Sequence, residues 1–169
     1  MPIIILEGID GSGKSTLATH LKDLSPWPAT IAVGQIPQST ETVFETLIAP
    51  LFEVGPDELL IADRWHLSEL IYGPLYRNQS LIDLEALDQI ETVLKSLDAM
   101  RIVMSPAVDE VASRLEARGE DFLKPEHQIL VHAAYHGLGT ELGYALLAKT
   151  DRMAAMTVLG LLAHHRMHQ

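Results

Sequence analysis

Residues 8–15 read Gly-Ile-Asp-Gly-Ser-Gly-Lys-Ser, which matches the complete pattern G-x-x-x-x-G-K-[ST] of a phosphate-binding loop. The segment before the loop, residues 2–7, is mostly apolar and rich in isoleucine, as expected of a buried parallel strand. Residues 16–22 after the loop place apolar side chains at helical spacing. A strand, a glycine loop and a helix in this order bring backbone N–H groups together on phosphate oxygens. The stretch therefore predicts a binding site for a nucleoside triphosphate.

The loop residues divide the work of binding. The glycines let the chain wrap closely around an anion without Cβ clashes. Lys14 is expected to reach the β- and γ-phosphates, and the hydroxyl of Ser15 is expected to coordinate Mg²⁺, the predicted cofactor. The predicted nucleotide-binding residues are Gly8, Gly11, Ser12, Gly13, Lys14, Ser15 and Thr16.

Length and composition favour one globular domain over residues 1–169, because hydrophobic residues make up 47% of the chain. No apolar stretch approaches the roughly 20 residues of a membrane helix, and no secretory leader precedes the first strand, so we expect a cytoplasmic protein. The sequence contains no cysteine, which excludes disulfides and thiolate metal sites.

The charge balance argues against a nucleic-acid partner. The formal net charge is −11, and the few basic residues fall largely in the motifs rather than on a basic face. An acidic protein with a small basic pocket suits a small anionic substrate.

Apolar segments alternate with amphipathic ones along the chain. Strands are expected at 2–7, 30–33, 58–63, 101–104 and 143–148, and helices at 16–22, 40–53, 66–73, 81–97, 107–118, 125–138 and 152–165. This alternation predicts an α/β protein with a parallel sheet covered by helices on both faces.

The third predicted strand ends in Asp63-Arg64-Trp65. Ligands of such sheets bind at the carboxyl ends of the strands. Asp63 is therefore a candidate to hold Mg²⁺ together with Ser15, and Arg64 a candidate to bind the phosphate of a second substrate. The alternative is an ordinary surface ion pair.

Arg114 and Arg118 are four residues apart on a predicted helix that Gly119 ends, so both guanidinium groups share one face. A mobile segment at about 113–125 could close them over migrating phosphate as a lid. A solvated helix end explains the same pattern.

Three segments together resemble the thymidylate kinase family. They are residues 6–16, Asp63-Arg64-Trp65 with Ser68 and Tyr72, and residues 101–119, all at fitting spacing. Residues 63–73 look especially like the compact members found in bacteriophages. The resemblance implies a three-layer α/β/α P-loop fold whose five-stranded parallel sheet has the order 2-3-1-4-5.

The resemblance also implies a reaction, transfer of phosphate from ATP to a deoxynucleoside monophosphate (dTMP or a related one). ATP would occupy the loop, Asp10 would approach the 3′-hydroxyl of the acceptor, and Arg64 its phosphate. Arg114 and Arg118 would close over ATP, since neither Gly11 nor Ser12 supplies the arginine that some relatives carry in the loop. With Lys14, the catalytic candidates are thus Asp10, Arg64, Arg114 and Arg118, and a homodimer is a further expectation.

The chain departs from that family near the acceptor. Residues 33–38 replace the family's Arg-Glu-Pro-Gly-Gly, and there is no arginine between Lys22 and Arg64, which leaves Arg77 as the nearest substitute. Tyr72-Gly73 stands where the family has Tyr-Gln, so the base is open. The predicted substrate-binding residues are Asp10, Arg64, Trp65, Tyr72, Tyr76 and Arg77; the aromatic ones could equally belong to the core or rim.

Other functions remain open at this point. A nucleoside kinase would need a carboxylate base, for which Glu7 or Asp10 qualifies. A kinase of another hydroxyl compound or of a modified DNA base, and a nucleotide-binding switch, would use the same loop. His164 and His168 have a metal-ligand spacing, but a helix end explains them better.

Overall fold

Five strands form one parallel sheet at the centre of the computed structural model, which describes residues 1–119 and 123–167. The strands are β1 (Ile3–Glu7), β2 (Ala29–Val33), β3 (Leu59–Asp63), β4 (Met100–Met104) and β5 (Ala145–Leu147). Their order across the sheet is β2-β3-β1-β4-β5, with every neighbouring pair parallel. The predicted fold class and strand order are confirmed.

Helices connect the strands. They are α1 (Lys14–Leu24), α2 (Val43–Leu47), α3 (Ala49–Phe52), α4 (His66–Arg77), α5 (Leu84–Ser96), α6 (Val108–Arg118), α7 (Pro125–Leu142) and α8 (Arg152–Met167). No helix in the described parts of the chain combines the length and the apolar character needed to cross a membrane.

The central strand β1 is buried on both faces, which explains the apolar run of residues 3–6 before Glu7. Successive side chains of a strand point to opposite faces. Ile4 and Leu6 accordingly pack in the core beneath α1 and α8, while Ile3 and Ile5 pack in the core beneath α2, α3 and α5. A third cluster joins α4, α6 and α7. The loop after β1 thus starts from a completely buried strand.

Predicted helix boundaries were wrong at two places near proline, and the helix expected at 125–138 extends to Leu142. The single helix expected at 40–53 is a 3₁₀ turn (Thr40–Thr42) followed by α2 and α3, because Pro50 has no N–H to bond the carbonyl four residues earlier. The helix expected to end before Pro74 continues through it as α4 and stops at Asn78, which has a left-handed backbone with φ 61°. The extension places Arg77 on the same helix as Tyr72.

Candidate functional site

The loop between β1 and α1 has the backbone of a phosphate cradle. Gly8, Gly11 and Gly13 all have positive φ, and Gly13, at 92°, directly precedes the first turn of α1. The ammonium of Lys14 donates to the carbonyls of Gly8 and Ile9 at 2.8 and 2.9 Å. A cavity of about 240 Å³ opens at the loop. Its lining includes five of the seven predicted nucleotide-binding residues, Gly11, Gly13, Lys14, Ser15 and Thr16.

Lys14 is only 5% exposed, and this burial lowers its pKa from 10.5 to about 8. The nearby Arg64 guanidinium acts in the same direction, while the carboxylates of Asp10 and Asp63 oppose it. A buried ammonium in such surroundings favours an anionic ligand, because negative oxygens at the loop would stabilise its charged form.

Ser15 and Asp63, the two predicted Mg²⁺ ligands, meet at this cavity. The Ser15 hydroxyl donates to Oδ2 of Asp63 at 2.5 Å, and Asp63 is 8% exposed. A hydroxyl and a carboxylate at the loop form an oxygen donor set that suits Mg²⁺ completed by waters and phosphate oxygens. Among the described residues no group of three or more histidine, aspartate or glutamate side chains could hold a metal without such help.

Asp10, Arg64 and Tyr72 form a network between the loop and α4. The Asp10 carboxylate pairs with the Arg64 guanidinium and accepts a hydrogen bond from the Tyr72 hydroxyl at 2.9 Å. Burial acts to lower the pKa of Arg64, but the Asp10 carboxylate together with Tyr135 and Tyr72 outweighs it and raises that pKa above its ordinary value. Burial likewise raises the pKa of Tyr72. Arg64 therefore stays charged and Tyr72 stays neutral.

A second cavity of about 460 Å³ adjoins the first. Asp10 and Arg64 line both, so the two cavities meet at this ion pair. Tyr72 and Tyr76 line the second cavity and stack on each other at 5.9 Å with an interplanar angle of 9°. Trp65 lines it as well, although it is 4% exposed and its indole N–H donates to the carbonyl of Leu47.

The second cavity contains a residue that the sequence analysis missed. Glu69 is 5% exposed and pairs with Arg77, a predicted substrate-binding residue that also lines this cavity. These residues are eight positions apart, beyond the usual three or four for a helical ion pair. Gly73 lies between them, and because it has no side chain it leaves room for a contact across two helical turns. This glycine is the feature of the sequence that could have indicated the contact.

Gly34 is a second residue that the sequence analysis missed. A Cβ at Gly34 would overlap the carbonyl oxygen of Arg64 and lie 2.8 Å from its carbonyl carbon. Arg64 itself has φ 72°, which is uncommon for a residue with a side chain. The glycine lets β2 approach so closely that Gly34 N–H bonds the Asp63 carbonyl at 3.1 Å. A glycine following a strand at the carboxyl edge of the sheet was the available signal.

Glu7, a candidate base for a nucleoside kinase, is completely buried. Its carboxylate accepts from the backbone N–H of Trp65 and Leu67 at 2.9 and 2.8 Å and from the Ser68 hydroxyl at 2.7 Å. These bonds satisfy donors at the start of α4, which an anion at a helix N-terminus stabilises. Glu7 thus holds α4 against β1 and does not line either cavity.

The two arginines of the predicted lid lie on α6. Arg118 lines the loop cavity, and Arg114 donates to the carbonyl of Gly11 at 3.1 Å while pairing with Glu110. Residues 120–122, the centre of the expected lid, lie outside the described residues. So does His168 of the histidine pair weighed as a metal site, while His164 lies in α8, far along the chain from the loop.

Comparison with known proteins agrees on the fold. No family model and no curated protein matches the sequence. Among solved structures, the YorR protein of Bacillus subtilis in complex with phosphorylated GDP is 22% identical, with 99% of each chain covered and a TM-score of 0.79. The deoxyadenosine kinase of M. mycoides with bound dCTP is 16% identical over all of both chains, with a TM-score of 0.54. This chain therefore has the fold of P-loop nucleoside and nucleotide kinases.

Proposed function

We propose that this protein transfers the γ-phosphoryl group of ATP to a deoxynucleoside monophosphate, dTMP or a related one, and releases the diphosphate and ADP. The observation that carries the proposal is the junction of the two cavities at Asp10 and Arg64. One cavity opens at the predicted phosphate-binding loop, and the other has aromatic walls suited to a base. The kinase fold of the similar structures supports the same conclusion.

The reaction needs alignment and charge neutralisation more than covalent help from the protein. An oxygen of the acceptor phosphate attacks the γ-phosphorus as the bond to the β–γ bridging oxygen breaks. Lys14, Arg64 and Arg118 all line the loop cavity and supply positive charge for the oxygens of the transferred group. Ser15 and Asp63 would hold Mg²⁺, which neutralises phosphate charge when it is bound.

The engagement of the carboxylates around the cavities favours a monophosphate acceptor over a nucleoside. A nucleoside hydroxyl needs a general base, whereas a phosphate oxygen already carries negative charge. In the described part of the chain, every carboxylate lining the cavities is engaged, Asp10 with Arg64, Asp63 with Ser15, and Glu69 with Arg77. The arrangement supplies cations for a phosphate rather than a free base for a hydroxyl.

The direct test is transfer from labelled ATP with Mg²⁺ to deoxynucleosides, their monophosphates and duplex DNA. We expect label on a monophosphate, and we expect Arg64→Ala to reduce turnover on the order of 10³-fold. Arg166→Ala is the matched control, because Arg166 packs over Trp27 at 5.7 Å and lines neither cavity. Label on a nucleoside or on DNA would refute the acceptor. Full activity of Arg64→Ala would refute the mechanism.

A further inference from the structure

The lining of the second cavity includes a polar contact between Glu69 and Arg77. Both oxygens of the Glu69 carboxylate lie 2.5 Å from Nη2 of Arg77, and Oε1 also accepts the backbone N–H of Leu81 at 3.0 Å. The Glu69 side chain is 4% exposed and that of Arg77 is 38% exposed. The Leu81 N–H therefore holds the buried carboxylate in place, while the more exposed guanidinium lines the cavity.

Gly73 makes this contact possible. A Cβ at Gly73 would lie 2.9 Å from Oε1 of Glu69 and 3.1 Å from Nη2 of Arg77. The backbone carbonyl of Gln79 lies 2.9 Å from the same point, so any larger residue would have to displace the two side chains or that carbonyl. Gly73 is therefore a structural requirement of the ion pair between Glu69 and Arg77.

The position and charge of the pair indicate an uncharged ligand group. Arg77 lines only the second cavity, while Arg64 lies at the junction and Lys14 and Arg118 line the loop cavity. Phosphate groups are thus served by other cations. Glu69 neutralises Arg77, so what remains at this end is hydrogen bonding rather than net charge.

The pair of Glu69 and Arg77 offers mainly hydrogen-bond donors to the cavity. A carboxylate has about four acceptor positions, and Glu69 already uses most of them on Arg77 and Leu81. The guanidinium has five N–H groups, and its bond to Glu69 goes through Nη2, which leaves Nε and Nη1 to donate. Donors of this kind match a carbonyl oxygen and oppose an amino group, whose N–H groups would face other N–H groups.

We propose that Arg77, held in place by Glu69 over Gly73, is the residue that determines base specificity. It selects an acceptor whose base carries an oxo group on the edge facing it, a 6-oxopurine or a 4-oxopyrimidine, against the corresponding amino bases. The stacked Tyr72 and Tyr76 rings provide an aromatic wall beside it for the base. This inference rests on the proposed function and adds the class of acceptor to it.

The test compares kcat/KM of the wild type for dGMP, dTMP, dAMP and dCMP, with the binding of each measured in parallel by calorimetry. One well-placed guanidinium contact discriminates bases by roughly 10- to 100-fold. We expect a preference of that size for dGMP and dTMP or for one of them. The Arg77→Met variant should lose it through a raised KM for the oxo substrates with kcat retained.

Arg77→Met leaves the buried Glu69 without its cation, which is destabilising. The double variant Glu69→Gln/Arg77→Met removes both charges and keeps an oxygen for the Leu81 N–H, so it should fold and show the same loss. Gly73→Ala should weaken the preference by displacing the pair. Arg101→Met is the matched control, because Arg101 also pairs with a buried glutamate, Glu91, but lines neither cavity. Its base preference should equal that of the wild type.

The outcomes separate this inference from the proposed function. Equal transfer to oxo and amino monophosphates refutes the base selection and leaves the kinase proposal standing, as does a double variant with wild-type preference. If the protein phosphorylates no monophosphate, the kinase proposal is refuted. Calorimetry then tests the base selection by Arg77 separately. Preferential binding of dGMP or dTMP that disappears in the double variant supports the role of Arg77, and equal binding refutes it.

Discussion

Raising the pH from 7 to 9 should weaken ATP binding about tenfold through the titration of Lys14 alone. Burial lowers the pKa of this ammonium to about 8 in the free protein. ATP phosphates require the charged form, so binding above pH 8 must take up one proton. The protonated fraction is about nine-tenths at pH 7 and about one-tenth at pH 9, and the ratio of the two is the expected loss of affinity.

The assay is calorimetric titration with ATP and Mg²⁺ between pH 7 and 9.5. The last ionisation of the phosphates has a pKa of about 6, so their charge does not change between pH 7 and 9.5. Burial raises the pKa of Tyr72 and of Tyr135, so neither hydroxyl contributes. Lys14→Met is the control, expected to bind weakly with no such pH dependence. A flat wild-type profile, or an equal fall in the variant, would refute the reasoning.

The same depressed pKa has an opposite effect on folding. Below pH 8 the lysine is charged in both the folded and the unfolded chain, and burying the charge costs stability. Between pH 8 and 10.5 only the unfolded chain binds the proton, so stability rises with pH relative to Lys14→Met. The full difference is about 3 kcal/mol. Denaturant unfolding of both proteins across this window measures it.

Three further predictions concern the support of the site. Ser15→Ala should raise the Mg²⁺ concentration for half-maximal activity about tenfold or more, because it removes a metal-binding oxygen; magnesium titrations of the activity test this. Gly34→Ala should reduce kcat about tenfold or more and also lower the melting temperature, because the added Cβ displaces the Arg64 backbone; kinetics combined with thermal unfolding separate the two effects. Glu7→Gln should lower the free energy of unfolding by about 1–3 kcal/mol, because the amide replaces an anionic acceptor of the Trp65 N–H; denaturant unfolding measures it.

Each of these predictions has a contrary result. An unchanged magnesium requirement in Ser15→Ala would remove the hydroxyl from the metal site. Normal kcat in Gly34→Ala would mean that Arg64 tolerates the displacement. For Glu7→Gln, wild-type stability with lost activity would show that the carboxylate acts in the reaction rather than at the start of α4.

The sequence predicted the fold and the phosphate loop because both depend on local patterns. The run 2–7 and the loop 8–15 specify a buried strand and a cradle through their own residues, and the alternation of elements predicts a parallel sheet. The strand order was implied only by the family resemblance. Helix ends near proline were harder to predict. The pattern that ends a helix at Pro74 is local, whereas the packing that carries α4 to Arg77 is not.

The acceptor side was only partly predictable, since it is made by contacts between distant segments. Arg64 and Tyr72 were candidates, but their joint attachment to Asp10 joins the loop to α4 across more than fifty residues. Glu69 gave no signal by itself, because an acidic residue on a helix is usually a solvated one. The roles assigned to these residues stay predictions until the variants are measured.

The ion pair of Asp10 and Arg64 forms part of the lining of both cavities. A ligand that draws the Arg64 guanidinium toward one cavity changes what the other cavity offers, so the affinities of the two sites are thermodynamically linked. Linkage is reciprocal: whatever factor the acceptor imposes on ATP affinity, ATP imposes on acceptor affinity. The order in which the two substrates bind then affects the rate, and an analogue joining both substrates would gain or lose affinity by that same factor.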